Sequence, residues 1–532
     1  MKELERGELN LNQTALGIEL GSTRIKAVLI DKNHKAVSSG EYQWESYYNN
    51  SIWTYDLEEV WKGIQQAYKQ LKKKIKEQYC INLTEIGAIG FSAMMHGYLP
   101  FDADGNLLTH FRTWRNTNTK EAAKELTKLF EYNIPLRWSV AHLYQAILNQ
   151  EEHVKNVNFL TTLSGYVHWK LTGEKAIGNG DASGMFPVDP DIDNYDKSMM
   201  KQFDELTASY DYNWSLKDIL PKIYSAGSCA GILTERGSKL LDPEGDLRSG
   251  IPFCPPEGDA GTGMVATNSI TERTGNVSAG TSVFSMIVLD KPLTDYYAEI
   301  DIVNTPDGKP VAMVHCNNFT SDINDWSSLF AELIETMGMK VNMSNLFNIL
   351  FEKAMEADDD VGKLINCNYN SGEPITGFDA GRPLFVRMPD SRLTLSNFMR
   401  THIYSALATL ELGMEILTIN EKVHVDYILG HGGFFKTDKV GQQLMADALK
   451  IPITIMNTAE EGGPWGAALL AAYHLNHNKE EFLDDYLKKK VFNKVETKTL
   501  QPSAEGIQSF TSFMNNYKSM LEIERTAINI LQ

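Results

Sequence analysis

The sequence predicts an α/β protein assembled from two similar halves, and three observations carry that prediction. Residues 15–31, "ALGIELGSTRIKAVLID", alternate apolar and polar positions on both sides of a Gly-Ser-Thr bend. That is the pattern of two strands joined by a tight turn. About 260 residues later, "TGNVSAGTSVFSMIVLD" repeats a strand, a glycine with hydroxyl residues, and an apolar strand ending in Asp. Both halves also carry a helix and further strands, which indicates mixed sheets covered by helices.

In chain order, "HKAVSSGEYQW" supplies a third strand after the first hairpin. "DLEEVWKGIQQAYKQLKKKI" then places Leu57, Val60, Trp61, Ile64, Tyr68, Leu71 and Ile75 on one helical face. Asp56 is positioned to cap that helix, with Glu59 reaching back to complete a capping box. "EIGAIGFSA" reads as a short buried strand. Residues from roughly 100 to 250 show no sustained period and are expected to be irregular, with insertions. In the second half, "HVDYILGHGG" is a strand running into glycines, and "KVGQQLMADALKIPITIM" is a helix followed by a strand. "EEGGPWGAALLAAYHL" is a Gly-rich turn opening a small-residue helix, and the stretch from Ser503 is an amphipathic C-terminal helix.

At 532 residues the chain exceeds one core, so two or more domains are expected. A formal net charge of −19 argues against a nucleic-acid surface, which needs clustered positive charge. The basic run "KQLKKKIKEQY" lies on the first helix and reads as a solvated face. Five scattered cysteines without metal spacing fit a reducing compartment. The polar N-terminus is not a signal peptide, and no apolar run approaches the ~20 residues of a membrane helix. A cytoplasmic protein is expected, with a homodimer as the default assembly.

The bends of the hairpins admit two readings. Gly21-Ser22-Thr23 and Gly280-Thr281-Ser282 are ordinary turn residues. They are also small enough to present backbone N–H groups to an anion. Two such bends facing one cleft would cradle a polyphosphate by a route unlike the P-loop, whose motif is missing from the sequence. The expected ligand is ATP with Mg²⁺. Glu19, at the strand end beside the first bend, is placed to hold the metal directly or through water.

Seven stretches in order give the chain a specific resemblance. "GIELGSTRIKAVLID" and "VSAGTSVFSMIV" resemble the two phosphate motifs of the FGGY family of carbohydrate kinases. "IGFSAMMHGYLPFD" resembles its sugar-binding strand and loop, "FRTWRNTNT" the Trp-containing segment, and "GDASGMFPVD" its Asp-Ala-Ser-Gly stretch. "PPEGDAGTGMVAT" resembles the catalytic-aspartate segment, and "ILGHGGFFKTDKVGQQLMADALKIPI" the adenosine motif. The chain is most similar to the pentulose kinases of that family. The resemblance implies a duplicated ribonuclease H-like, actin-like ATPase fold with an interdomain cleft. It implies an N-terminal domain over 1–267, with the sugar site and first phosphate hairpin, and a C-terminal domain over 268–532. It also implies transfer of the ATP γ-phosphate to a ketopentose of the D-xylulose or L-ribulose type.

Carried onto this sequence, the resemblance makes Asp259 the base and puts the sugar against Met95, His96, Gly97, Trp114 and Asp259. ATP falls to Gly21, Ser22, Thr23, Gly280, Thr281, Ser282, Gly432 and Gly433, with Glu19 at the metal. Each residue has a plainer reading. Asp259 alone would be a turn aspartate, Asp181 a structural cap, and Met95 and Trp114 ordinary core. A neutral imidazole at His96 both donates and accepts, which suits sugar hydroxyls. Glycines at 432 and 433 would let adenosine pass close to backbone. Four departures stand out: Glu19 where the family has Asp, Ala260 where a polar residue is usual, the missing Arg-Thr after Trp114, and the bulky Phe434-Phe435. A non-catalytic ATP switch or sugar sensor on the same fold is the competing class. The Met-His-Gly loop and Asp259 argue against it.

Overall fold

The computed structural model describes residues 9–456 and 462–531. The chain divides into two compact units. The first takes in the chain up to Ile270, the segment Ile302–Pro310 and the stretch ending at Lys494. The second takes in Thr271–Asp301, the stretch starting at Val311, and the chain from Val495.

In the first unit, β1 (Ala15–Leu20) and β2 (Arg24–Ile30) form the expected antiparallel hairpin, with Glu19 opposite Lys26. β3 (Ala36–Gln43) joins β2 antiparallel. After α1 (Leu57–Tyr79), β4 (Ala88–Ala93) joins β1 parallel, and the two-residue β5 (Glu257–Gly258) joins β4 parallel. The order is β5-β4-β1-β2-β3. β4 is buried at every position, as a strand covered on both faces must be.

α1 buries Val60, Ile64, Tyr68, Leu71 and Ile75 as the pattern requires, and Asp56 accepts from Glu58 N at 2.9 Å. Two expectations about it are corrected. Glu59 does not reach back to the cap; its carboxylate accepts from the Tyr42 hydroxyl and from Lys62 Nζ. A phenol and an ammonium within reach compete better than one backbone N–H. The basic run is not wholly solvated either. Lys72 is buried, with Asp242 and Glu244 oxygens at 2.8 Å and an Asp246 oxygen at 3.1 Å. A charge removed from water needs such partners.

The small-residue helix Gly462–Asn476 packs on β1 and β4, so the chain does not divide at a single point near 267. Glycines make that contact. A Cβ at Gly17 would lie 2.0 Å from Pro464 O, and one at Gly90 2.5 Å from Ala467 O. The turn expected before this helix lies outside the described residues.

The region from 100 to 250 is not irregular. It folds into short helices and strands around its own core, which includes Phe130, Trp138, Leu143 and Phe186. Helix α2 (Ser139–Leu148) lies within it, buried at nine of ten positions, so it carries no amphipathic stripe to find.

The second unit repeats the plan. β6 (Thr274–Ala279) and β7 (Val283–Val288) are the second hairpin, and β8 (Pro310–Cys316) joins β7 antiparallel. β9 (Tyr427–His431) joins β6 parallel, β10 (Ile453–Met456) joins β9 parallel, and β11 (Thr497–Leu500) closes that side antiparallel. The run β8-β7-β6-β9-β10 matches β3-β2-β1-β4-β5 in order and direction, which is the duplication read from the hairpins. The C-terminal helix Ala504–Ile530 packs Phe510 and Phe513 against Tyr404. All five cysteines are free thiols. Among the described residues no helix is long and apolar enough to cross a membrane.

Candidate active site

Both bends turn their carbonyls back into the protein. In the first, Gly21 O accepts from Trp44 Nε1 at 2.7 Å, Ser22 O from the Tyr55 hydroxyl at 2.7 Å, and Thr23 O from Trp44 N at 3.2 Å. Trp44 and Tyr55 stack with centroids 4.2 Å apart, so the clamp is rigid. Gly21 N is spent on Arg24 O, whereas the exposed Ser22 and Thr23 amides have no acceptor among the described residues. The second bend uses other residues to the same end. Gly280 O accepts from Thr320 Oγ1 at 2.7 Å, Thr281 O from Phe319 N at 3.0 Å, and Gly280 N donates to Ser282 O. A bend with its carbonyls tied behind and its amides free can take an anion's oxygens.

Asp259 is the first residue of α4 (Asp259–Ala266), delivered by β5. Its Oδ1 accepts from Met95 N at 3.2 Å, and Ser92 Oγ lies 2.8 Å from Thr262 Oγ1, tying β4 to α4. Burial raises the pKa of Asp259 above the ordinary carboxylate value, against the N–H groups of Met95 and Ala260. Glu19 is pushed up to about 7 by burial and then by the charge of Asp259, against Lys26. The Glu19 carboxylate lies beside Gly463, where a Cβ would fall 2.1 Å from Oε1. A carboxylate whose ionisation is made more costly by a second carboxylate nearby fits a divalent cation, which relieves that repulsion. Among the described residues no three His, Cys, Asp or Glu form a ligand cluster. Mg²⁺ needs only one or two carboxylates and keeps its waters.

His96 and Gly97 both have left-handed backbone, φ 67° and 99°. That kink turns the His96 ring toward Gly184, whose carbonyl lies 3.2 Å from Nδ1. A carbonyl only accepts, so Nδ1 carries the proton and Nε2 is an acceptor. Burial drives the pKa of His96 down to about 3, with the nearby Arg137 guanidinium adding to the effect. Ser139 Oγ at the start of α2 donates to Gly97 O at 2.5 Å, and Gly97 N reaches Arg137 O at 3.4 Å. Met95 is buried beside Gly258, whose Cβ would strike Met95 Cγ at 2.1 Å. Trp114 is 40 % exposed and is therefore not core. Its segment is anchored by Asn116, which bonds Trp53 O and N at 2.8 Å.

Gly432 has φ 105°, and a Cβ there would lie 2.4 Å from Ala279 O, so the protein's own backbone requires this glycine. Gly433 faces open space. Phe434 and Phe435 turn inward and are buried, Phe434 against Phe319 and Phe351 and Phe435 against Gly430. Their bulk is core packing.

Sequence reasoning missed Glu257 and Gly184 and left Asp181 as a cap. Glu257 accepts from Asp181 N at 3.0 Å and Gly180 N at 3.3 Å, joining β5 to α3 (Asn179–Ser183). Asp181 Oδ2 accepts from Thr162 and Ser164 hydroxyls, and its buried Oδ1 has no partner among the described residues. Burial lifts Asp181 to about 7 and, with Asp181 beside it, Glu257 to about 8. The signal for Glu257 was its place two residues before Asp259.

Two units of one plan, each with an anion-ready hairpin, and a buried acid tied to a histidine loop define a phosphate-transferring protein of the actin-like class. The FGGY carbohydrate kinase N-terminal domain model matches residues 14–265 and the C-terminal domain model residues 275–475. The chain belongs to the FGGY family of carbohydrate kinases and is a sugar kinase using ATP as co-substrate. It is 23 % identical over 485 residues to the xylulose kinase of Haemophilus influenzae, covering 88 % of this chain and 92 % of that protein. A ligand-bound xylulose kinase from Lactobacillus acidophilus superposes with TM-score 0.78 at 20 % identity, covering 96 % of this chain and 98 % of that one. A gluconate kinase from the same organism superposes with TM-score 0.77 at 20 % identity and the same coverage.

Proposed function

We propose that this kinase transfers the γ-phosphate of ATP to a ketopentose of the D-xylulose type, giving the sugar 5-phosphate in cytoplasmic pentose catabolism. The observation that carries the reading is the bond from Met95 N to Asp259 Oδ1, which holds acid and sugar loop in one rigid piece. In this reading Asp259 accepts the hydroxyl proton as the phosphoryl group arrives. His96 Nε2 accepts from a sugar hydroxyl, and Met95, Gly97 and Trp114 border the sugar. Ser22, Thr23, Thr281 and Ser282 donate to the phosphates, Gly21 and Gly280 let the phosphates approach the bends, and Gly432 and Gly433 pass beneath the adenosine. Glu19 holds Mg²⁺, which neutralises phosphate charge. The sugar side belongs to the first unit, whose larger part lies within 1–267, and the adenosine side to the second, whose larger part lies within 268–532.

L-Ribulose is the neighbouring substrate, ranked behind D-xylulose because Met-His-Gly is xylulokinase-like. A second reading is a sugar acid such as gluconate. Arg137 beside His96 favours it, since a guanidinium pairs well with a carboxylate. The test is coupled ADP release with D-xylulose, L-ribulose, gluconate and glycerol. The highest kcat/KM with D-xylulose supports the first reading; preference for gluconate, lost in Arg137→Leu, supports the second. Preference for glycerol overturns both.

A further inference from the structure

The carbonyls of the first bend are held by a hairpin that also reaches the segment carrying Trp114. From Trp44 to Tyr55 the chain reads "WESYYNNSIWTY". It forms two antiparallel strands, Tyr47–Asn49 and Ile52–Thr54. The loop between them is Asn50 and Ser51, both left-handed at φ 48° and 63°, the two-residue turn that suits a hairpin's twist. The ends of this hairpin are the buried, stacked Trp44 and Tyr55. A peptide unit is planar and trans, so fixing a carbonyl also aims the N–H of the next residue, on the opposite side. Trp44 Nε1 on Gly21 O therefore aims the Ser22 amide, and the Tyr55 hydroxyl on Ser22 O aims the Thr23 amide. Those are the two amides of the bend without an acceptor among the described residues.

The middle of the hairpin is tied to the residues around Trp114. One buried side-chain amide takes both backbone groups of Trp53: Asn116 Oδ1 accepts from Trp53 N and Asn116 Nδ2 donates to Trp53 O, each at 2.8 Å. Thr113 N donates to the same carbonyl at 3.2 Å. The Arg115 guanidinium lies 3.6 Å from the Trp53 ring centroid, and its Nη1 donates at 2.8 Å to Ser46 Oγ, which lies beside the Tyr55 hydroxyl. A lone two-stranded hairpin is marginal in water, so these contacts decide how firmly its ends sit. In the second bend two adjacent residues, Phe319 and Thr320, take the carbonyls, so holding a bend does not of itself require such a link. We propose that segment 44–55 is a strap coupling the Trp114 segment to the phosphate bend, with Tyr55, Trp53 and Asn116 as positioning residues for phosphoryl transfer. It rests on the first bend taking phosphate. Ordering of the Trp114 segment by the sugar is passed through Trp53 to the Ser22 and Thr23 amides, so acceptor and donor are aligned together.

The test combines calorimetric binding of a non-hydrolysable ATP analogue with steady-state ADP release, using the sugar of highest kcat/KM. In the parent, saturating sugar should tighten the analogue by about 5-fold or more. Tyr55→Phe keeps the ring stack and loses only the hydroxyl. It should lower kcat/KM for ATP roughly 5- to 30-fold, the weight of one hydrogen bond, while sugar affinity without nucleotide is unchanged. Asn116→Asp turns an acceptor toward Trp53 O and should cut the tightening by sugar to below about 2-fold. If that variant melts well below the parent, Arg115→Ala, at an exposed position, should show the same loss. Joined to Tyr55→Phe, either change should lower kcat/KM for ATP less than multiplicatively, because both loosen one strap. Amide resonances of Ser22 and Thr23 test the phosphate reading by itself, and should shift when ADP and Mg²⁺ are added. No shift overturns that reading and the strap with it. A shift accompanied by no tightening in the parent, by a parental kcat/KM for ATP in Tyr55→Phe, by tightening kept in both Asn116→Asp and Arg115→Ala, or by fully multiplicative effects overturns the strap alone.

Discussion

Replacing Asp259 by Asn separates its chemistry from its architecture. Asn keeps an Oδ1 that can accept from Met95 N, so the tie between α4 and the sugar loop survives. What is lost is the proton acceptor. General-base catalysis contributes roughly 10²–10⁴-fold. At about 1.4 kcal/mol per decade, the barrier should rise by about 3–5 kcal/mol. The stability effect has the opposite sign. Burial raises the Asp259 pKa, so its stabilising contribution is complete at low pH and is lost as pH climbs through the folded-state value. A permanently neutral Asn removes that penalty at pH 7.5, and the variant should melt no lower than the parent. Its neighbour also responds: Glu19, relieved of the Asp259 charge, should titrate below its present value near 7. The assay is steady-state ADP release with the best sugar, alongside calorimetric sugar binding and thermal unfolding. The expected result is kcat down at least ~10²-fold with sugar affinity and melting temperature retained. Normal turnover would refute the base assignment. Loss of kcat together with sugar binding and stability would show a structural aspartate.

Three further outcomes follow from other parts of the site. Gly463→Ala puts a Cβ 2.1 Å from Glu19 Oε1, and Glu19→Gln removes the charge; both should raise the Mg²⁺ concentration needed for half-maximal rate while sugar affinity holds. Unchanged magnesium titrations would mean Glu19 is not at the metal. His96→Ala should raise sugar KM by about 5- to 150-fold, the loss of one buried hydrogen bond worth about 1–3 kcal/mol. Equal KM would remove His96 from the pocket. Stability should fall as pH rises from about 4.5 to about 8, because Glu19, Asp181 and Glu257 hold protons in the fold, near 7, 7 and 8, that the unfolded chain has already released. Melting temperatures across that range check it, and Asp181→Asn should flatten the slope. A rising curve would contradict the buried, protonated cluster.

What the sequence determined by itself is local or motif-borne. Period-two and period-3.6 patterns placed both hairpins and α1 because each reports only which face of its own element is buried. Asp56 was legible as a cap because capping acts over two or three residues. The order of seven short stretches was enough to point to the carbohydrate kinases. The tertiary structure decided whatever depends on residues far apart in the chain. The His96 tautomer follows from a carbonyl 88 residues away, and the setting of Asp181 from Glu257, 76 residues on. Lys72 read as solvated because its partners lie about 170 residues downstream. The Gly462–Asn476 helix joins the first unit because Gly17 and Gly90 leave a surface flat enough for its backbone. No pattern within that helix announces such a fit. In the helix Ser321–Thr336, Ile323 and Ala331 are buried while Leu329 and Leu333 face water, because periodicity marks an apolar face without saying which side is covered.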